Sequence, residues 1–148
     1  MKYSKRWAIA LAPLLLATLV ACEDTIIKVI GPENDEAVST TDGVFRYQSW
    51  NLDNVHDRRI YTWNNPYPYA MVKHRNFVHH GTVLLTVRDS RGALVDSLPV
   101  EWELDEPTSE GRPGIWTIQF EYFGARGRVD TSLEPLQELP ATSSGKGQ

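Results

Sequence analysis

Four histidines, His56, His74, His79 and His80, fall within 25 positions and are the side chains of this sequence best suited to binding a metal. Imidazole is a common ligand of zinc and copper. If His79 and His80 lie on a strand, they point to opposite faces, so at most one of them could join His74. We therefore expect exposed histidines on loops and strand edges, with no metal site and no cofactor.

Catalytic patterns are weak in this sequence. Ser90 and Ser144 are the serines near glycine, and neither has the glycine-flanked elbow of hydrolases. Glu101 and Glu103 share one face of a predicted strand, which suits paired glycosidase acids but is equally typical of a solvated face. The single cysteine excludes an internal disulfide, a paired-cysteine zinc site and a haem attachment motif. We expect a protein that is not an enzyme.

Charge and aromatic side chains form the most informative cluster. Residues 46–91 carry a net charge of +4, whereas residues 92–138 carry −7. Arginine and aromatic rings dominate interface hot spots, and aromatic rings also stack on sugars. The candidate partner-binding residues lie in the basic segment and are Arg58, Arg59, Tyr61, Trp63, Tyr67 and Tyr69. The alternative interpretation is that these rings cover one end of the domain and the arginines are solvated.

The N-terminus has the pattern of an export signal. Lys2, Lys5 and Arg6 precede an uncharged stretch of residues 7–20 that is rich in Ala and Leu. As a helix, residues 7–22 would reach only about 24 Å, less than the ~30 Å hydrocarbon core of a bilayer. Pro13 also interrupts the stretch. We expect a signal helix rather than a membrane span.

The segment Leu19-Val20-Ala21-Cys22 resembles the lipobox of bacterial lipoproteins. In that family the cysteine thiol receives diacylglycerol, a peptidase cleaves before the cysteine, and the new amine is often acylated. The resemblance implies that Cys22 is the lipid attachment site and the first residue of the mature chain. Two or three acyl chains hold a protein stably at a membrane.

Cleavage there would leave 127 residues with a formal charge of −7. Such an acidic, exported domain is unsuited to broad nucleic-acid binding, which requires a basic surface. In the lipoprotein family an aspartate directly after the cysteine favours retention in the inner membrane, and here that position is Glu23. We expect a location on the periplasmic side of the cell envelope, at the outer rather than the inner membrane.

Alternating apolar and polar residues predict an all-β fold, and no helical periodicity longer than two turns is visible in the mature chain. Seven candidate strands cover residues 26–30, 43–50, 82–89, 93–97, 99–104, 114–122 and 128–133. Gly124–Gly127 predicts a turn, so that residues 114–133 form a hairpin. This segment, from Gly114-Ile115-Trp116 onward, resembles the closing hairpin of immunoglobulin-like domains in bacterial surface proteins. The predicted fold is an antiparallel, immunoglobulin-like β-sandwich.

The predicted organisation has four parts: a signal peptide at 1–21, a lipidated tether at 22–25, a sandwich at 26–133 and a flexible tail at 134–148. Residues 51–77 are predicted to form a long aromatic loop within the sandwich. The leading hypothesis is a non-catalytic, lipid-anchored envelope protein that binds, or is an accessory subunit of, another envelope or membrane-complex protein. The alternative is a carbohydrate or small-ligand binding module that stacks its ligand on Trp63, Tyr67 and Tyr69.

Overall fold

The structure, a computed structural model, describes residues 26–100 and 103–140. The predicted signal helix, Cys22, the tether and the end of the tail lie outside the described residues. A 3-10 turn at Pro32–Asn34 precedes seven strands: β1 (Ala37–Thr41), β2 (Val44–Asn65), β3 (Tyr69–Arg75), β4 (Phe77–Arg88), β5 (Leu94–Pro99), β6 (Glu103–Pro107) and β7 (Gly114–Leu136). No helix in the described part of the chain has the length and hydropathy of a membrane span.

The seven strands form one antiparallel sheet around β7. Along one edge β7 pairs with β2, and along the other it pairs first with β4 and then with β3. The flanking strands are β1 beside β2, β5 beside β4 and β6 beside β3. The predicted all-β, antiparallel fold is confirmed, and the sheet has seven strands, although β1 and β3 are not among the segments predicted as strands.

The two long strands bend so that the sheet folds over itself. The rings of Tyr47 and Tyr61, both on β2, lie 5.4 Å apart between centroids, although 14 residues of straight strand would separate them by about 46 Å. The pairing of β2 with β7 shifts register at Ser49/Leu52, Leu52/Val55 and Val55/His56, which is where bulges bend the ladder. The result is a sandwich-like arrangement with one core between the two halves of the sheet.

Every second residue of the long strands faces this core. Trp63 and Trp116 pack edge to face at 6.0 Å, and Tyr47 stacks on Phe120 at 4.2 Å. The buried apolar residues of β7 are Trp116, Ile118, Phe120, Tyr122, Ala125, Val129 and Leu133. The period-two pattern read from residues 114–122 therefore identifies core positions correctly.

The predicted hairpin at residues 114–133 is wrong, because β7 is one continuous strand through this region. Gly124 and Gly127 have φ of 63° and 129° and lie at the bend of the strand rather than in a turn. A Cβ on Gly127 would overlap the backbone carbonyl of Phe77 on the neighbouring strand. The predicted hairpin, on which the immunoglobulin resemblance was based, is thus a bend within β7. At this bend β7 approaches β4 closely.

Three other boundaries also differ. The predicted aromatic loop at 51–77 is instead the second half of β2, a short turn and β3. The predicted strand at 26–30 contributes a single parallel bridge, Lys28 to Val55. Residues 134–136, predicted to begin the flexible tail, instead belong to β7, where Leu136 pairs with Tyr69.

Candidate functional site

A polar cluster joins the start of β1 to the second half of β2. Glu36, just before β1, accepts a hydrogen bond from Arg59 Nε at 2.8 Å and a second from Arg59 Nη2. The hydroxyl of Tyr61 also donates to Glu36, and the hydroxyl of Tyr47 donates at 3.3 Å. Two of the predicted site residues, Arg59 and Tyr61, thus meet at one carboxylate.

The cluster continues into the core through hydroxyl groups. The oxygens of Tyr47 and Tyr122 lie 2.7 Å apart, and Ser49 Oγ lies 3.0 Å from the Tyr122 oxygen. Tyr47, Tyr122 and Ser49 are all buried. Buried polar atoms are costly unless they have partners, so this chain of hydroxyls satisfies groups that the apolar core could not.

The electrostatics of this cluster are those of an ion pair surrounded by neutral phenols. The Arg59 guanidinium holds the pKa of the Glu36 carboxyl below its usual value, although partial burial opposes the shift. Burial raises the pKa of Tyr47, Tyr61 and Tyr122 above the ordinary value for a phenol. At neutral pH the carboxylate is ionised and engaged by four donor atoms, while the phenols stay protonated. A general base works best with a pKa near the working pH, whereas Arg59 lowers the pKa of Glu36 away from neutrality.

The other predicted site residues are dispersed. Arg58 is exposed on the outer face of β2 and has no ion-pair partner among the described residues. Tyr67, at the turn after β2, is exposed, and Tyr69 is half-buried at the start of β3. The structure therefore assembles Arg59 with Tyr61 and leaves the remaining residues apart.

Trp63 belongs to the core, contrary to its prediction as a binding residue. Its side chain is 2% exposed, and its indole Nε1 donates to the carbonyl oxygen of Gly43 at 2.7 Å. The ring is enclosed because the bend turns the second half of β2 over the core. Trp63 cannot stack on a sugar in this position, so the carbohydrate-binding alternative loses its largest ring.

His74 also differs from its expected exposed position. It is fully buried on β3, with Nδ1 2.9 Å from Thr131 Oγ1, and Nε2 has no hydrogen-bond partner among the described residues. Burial lowers its pKa to about 4, so the ring is neutral at pH 7. His56, His79 and His80 are exposed. Among the described residues, no group of three or more His, Cys, Asp and Glu side chains is arranged to hold a metal.

The split of charge along the sequence does not produce a charged pole. Arg46 pairs with Asp130 at 2.8 Å, Lys73 with Glu134 at 2.6 Å, and Arg75 with Asp105 at 2.9 Å. Each pair joins the basic segment 46–91 to the acidic segment 92–138 across adjacent strands. The antiparallel sheet thus brings opposite charges of the two segments together at these three positions.

Surface clefts formed by the described residues include two of similar size. One of about 580 Å³ is lined by residues 76–81 and Glu103, and one of about 550 Å³ by Pro68, Ala93, and residues 89, 91 and 110–113. In the second cleft the Asp89 carboxylate accepts backbone N–H groups of Arg91, Ala93 and Arg112 at 2.9–3.0 Å. Asp89 is thereby committed to joining two loops.

The structural role of Glu36 was not evident from sequence. The polar stretch around it indicates a linker, and its partners lie 11 to 25 residues away. No local pattern marks such contacts. Compared with known proteins, the chain matches no family model, no curated protein and no solved structure.

Proposed function

We propose that this chain is a non-catalytic, lipid-anchored protein of the bacterial cell envelope, attached through Cys22 on the periplasmic side and located at the outer membrane. Its domain binds another envelope or membrane-complex protein. The sequence Leu19-Val20-Ala21-Cys22, behind a basic start and an apolar stretch, supports the anchor. One structural observation supports binding: the second half of β2 has an edge that no other described strand pairs with.

The open edge consists of Arg58–Asn65, because the segments that pair with the outer side of β2 end before Arg58. β7 covers the other side of β2 as far as Asn65, whereas β1 pairs with β2 only as far as Gln48. The bridge at Lys28 reaches Asn54 and His56. Within residues 26–100 and 103–140, no backbone group forms a ladder with the outer side of Arg58–Asn65.

An unpaired edge of this length is a template for an incoming strand. Its backbone N–H and C=O groups supply affinity in β-strand addition, and alternate side chains supply specificity. The side chains on the outer face are Arg58, Ile60, Thr62 and Asn64, with no proline to prevent pairing. The occupant we propose is an extended segment of an envelope protein with β-branched and acidic residues opposite Ile60 and Arg58.

The cluster around Glu36 gives this edge a fixed shape. Arg59 and Tyr61 point inward to Glu36, so their neighbours Arg58, Ile60 and Thr62 point outward in a regular row. A pre-ordered edge loses little conformational entropy when a strand binds. The finer architecture belongs to the same proposal: two layers over one core, as in immunoglobulin-like binding domains, serve as a rigid scaffold for the edge.

A photo-crosslinking residue placed at position 62 in growing cells tests the binding edge. We expect a discrete adduct with an envelope protein because Thr62 lies in the centre of the edge. Adding Ile60→Lys should reduce the adduct several-fold, since a lysine on an edge strand opposes further pairing.

Ile115→Lys is the matched control. Ile60 and Ile115 are 54% and 57% exposed, but Ile115 lies on β7, the inner neighbour of β2, where it pairs with Asn64 and leaves the outer side of the edge free. The control should leave the adduct unchanged. An adduct that survives Ile60→Lys, or no adduct at all from position 62, would contradict binding at this edge.

A further inference from the structure

Exposed apolar side chains are grouped at the bend of the sandwich, on the outer side of the sheet. The segment at Lys28 runs beside β2 there: His56 N donates to the Lys28 carbonyl at 2.8 Å, and Lys28 N donates to the Asn54 carbonyl at 3.2 Å. Ile27 and Val29 flank Lys28 and are 66% and 61% exposed.

The same surface extends across the next strand. Val29 follows Lys28 in the bridge and so lies beside His56, and His56 is paired with Phe123 of β7. Neighbouring strands are about 4.8 Å apart, which places Phe123 about 10 Å from Val29. Phe123 is 53% exposed. We call the surface formed by Ile27, Val29, His56 and Phe123 the bend face.

The position of the bend face relative to Cys22 is fixed by chain length. Ile26, the first described residue, is four residues after Cys22, and four residues of extended chain span at most about 14 Å. Ile26 is held at the bend, since its carbonyl oxygen accepts a hydrogen bond from Asn54 Nδ2 at 3.0 Å. A lipid on Cys22 would therefore keep the bend face within a few residues' reach of the bilayer.

The chemistry of the bend face suits a bilayer surface. Apolar side chains insert at the boundary between headgroups and acyl chains, and cationic side chains beside them contact the headgroups. Lys28 and Arg126 lie at the same end, on either side of Asp53, so the carboxylate between them is neutralised. The opposite end of β7 carries Ile115, which is equally exposed but eight residues, or about 27 Å, from Phe123.

We propose that the bend face rests on the lipid bilayer next to the acylated Cys22, with Ile27, Val29 and Phe123 inserted among the headgroups. This inference rests on the proposed lipid anchor and adds an orientation to it. The far ends of β2 and β7 then point away from the membrane. The edge Arg58–Asn65 extends from the bend toward that far end, where a partner can reach it.

Engineered cysteines in the full, lipidated protein test this orientation. Phe123→Cys and Val29→Cys report on the bend face, and Ile115→Cys is the control of similar exposure. The Cys22 thiol is alkylated in the lipidated protein, so a polarity-sensitive thiol fluorophore labels the new cysteine alone. Labelled proteins are reconstituted into vesicles of phosphatidylethanolamine and phosphatidylglycerol after their intact mass has been measured.

We expect blue-shifted emission and several-fold weaker quenching by iodide at positions 123 and 29, with no change at position 115. Equal quenching at all three positions in a protein that carries its lipid would overturn the bend-face proposal and leave the anchor standing. A mass without lipid on Cys22 would overturn the proposed function and the orientation that depends on it.

Discussion

Glu36 illustrates how one side chain can hold distant parts of this chain together. Its carboxylate accepts hydrogen bonds from Arg59, Tyr61 and Tyr47, which lie on the two halves of β2 that face each other. Hydrogen bonds to charged groups stabilise proteins by about 1.5–3 kcal/mol each, and more is lost when a buried partner is left unsatisfied. Glu36 therefore stabilises the folded-over form of β2.

Glu36→Gln should lower the free energy of unfolding by about 2 kcal/mol, because the amide keeps the shape but loses the charge that Arg59 pairs with. Urea denaturation measures this change. Glu110→Gln is the control, since Glu110 is exposed and makes no hydrogen bond or ion pair in the described structure; it should change stability by less than about 0.5 kcal/mol. Equal effects of the two substitutions would show that the cluster adds no stability.

His74 should make stability depend on pH in a narrow window. Its folded pKa of about 4 lies below the value of 6.5 expected in the unfolded chain, so the unfolded state binds more protons between these values. Stability is then complete above pH 6.5 and falls as the pH drops toward 4, by about 3 kcal/mol in total.

Unfolding by urea at a series of pH values measures the slope of the free energy of unfolding against pH. His74→Leu should flatten it between pH 6.5 and 4.5, because leucine fills the buried site without titrating. His56→Gln, a substitution at an exposed histidine, should leave the pH dependence of stability unchanged. A slope unchanged by His74→Leu would assign the pH dependence to other groups.

Residue roles were predictable from sequence only in part. Alternation predicts strands over residues 43–50 and 114–122 because that pattern is local, and Tyr47, Trp116 and Phe120 lie on the buried face of those segments. Trp63 was assigned to a binding surface because aromatic and arginine residues surround it in sequence. Its burial depends on a bend more than seven residues away, which the residues next to it do not reveal.

At the scale of elements, the central finding is that glycines mark bends rather than turns in β7. A glycine-rich stretch between two alternating runs predicts a hairpin, and the same local pattern fits a bulge. The choice between them depends on what packs against the glycines, here the backbone of Phe77 beside Gly127. Sequence predicted the strands on either side but could not predict that they are one.

Gly127→Ala should destabilise the fold by about 3 kcal/mol or more, because a Cβ there overlaps the Phe77 carbonyl and φ is 129°. Thermal unfolding followed by circular dichroism measures the loss. Gly92→Ala is the matched control: its φ is also positive, at 81°, but no atom of the described residues lies within 4 Å of the added Cβ. That variant should lose only about 1 kcal/mol, the cost of a left-handed conformation. Similar losses would mean that close strand approach does not require Gly127.

At the scale of the whole molecule, the sheet places basic residues of segment 46–91 next to acidic residues of segment 92–138. Arg46, Lys73 and Arg75 each pair with a carboxylate on β6 or β7, so these three side chains of the basic segment are neutralised by their neighbours. Exposed ion pairs contribute little to stability. The two surfaces to which we assign a role are therefore the open edge of β2, proposed for partner binding, and the bend face, proposed to contact the membrane.

Lipid attachment at Cys22 is the central claim, and intact mass spectrometry of the protein purified from bacterial membranes tests it most directly. We predict the mass of residues 22–148 plus a diacylglyceryl group, with or without a further acyl chain on the new amine, and an uncut precursor for Cys22→Ser. A mass corresponding to all 148 residues with a free thiol would contradict the account.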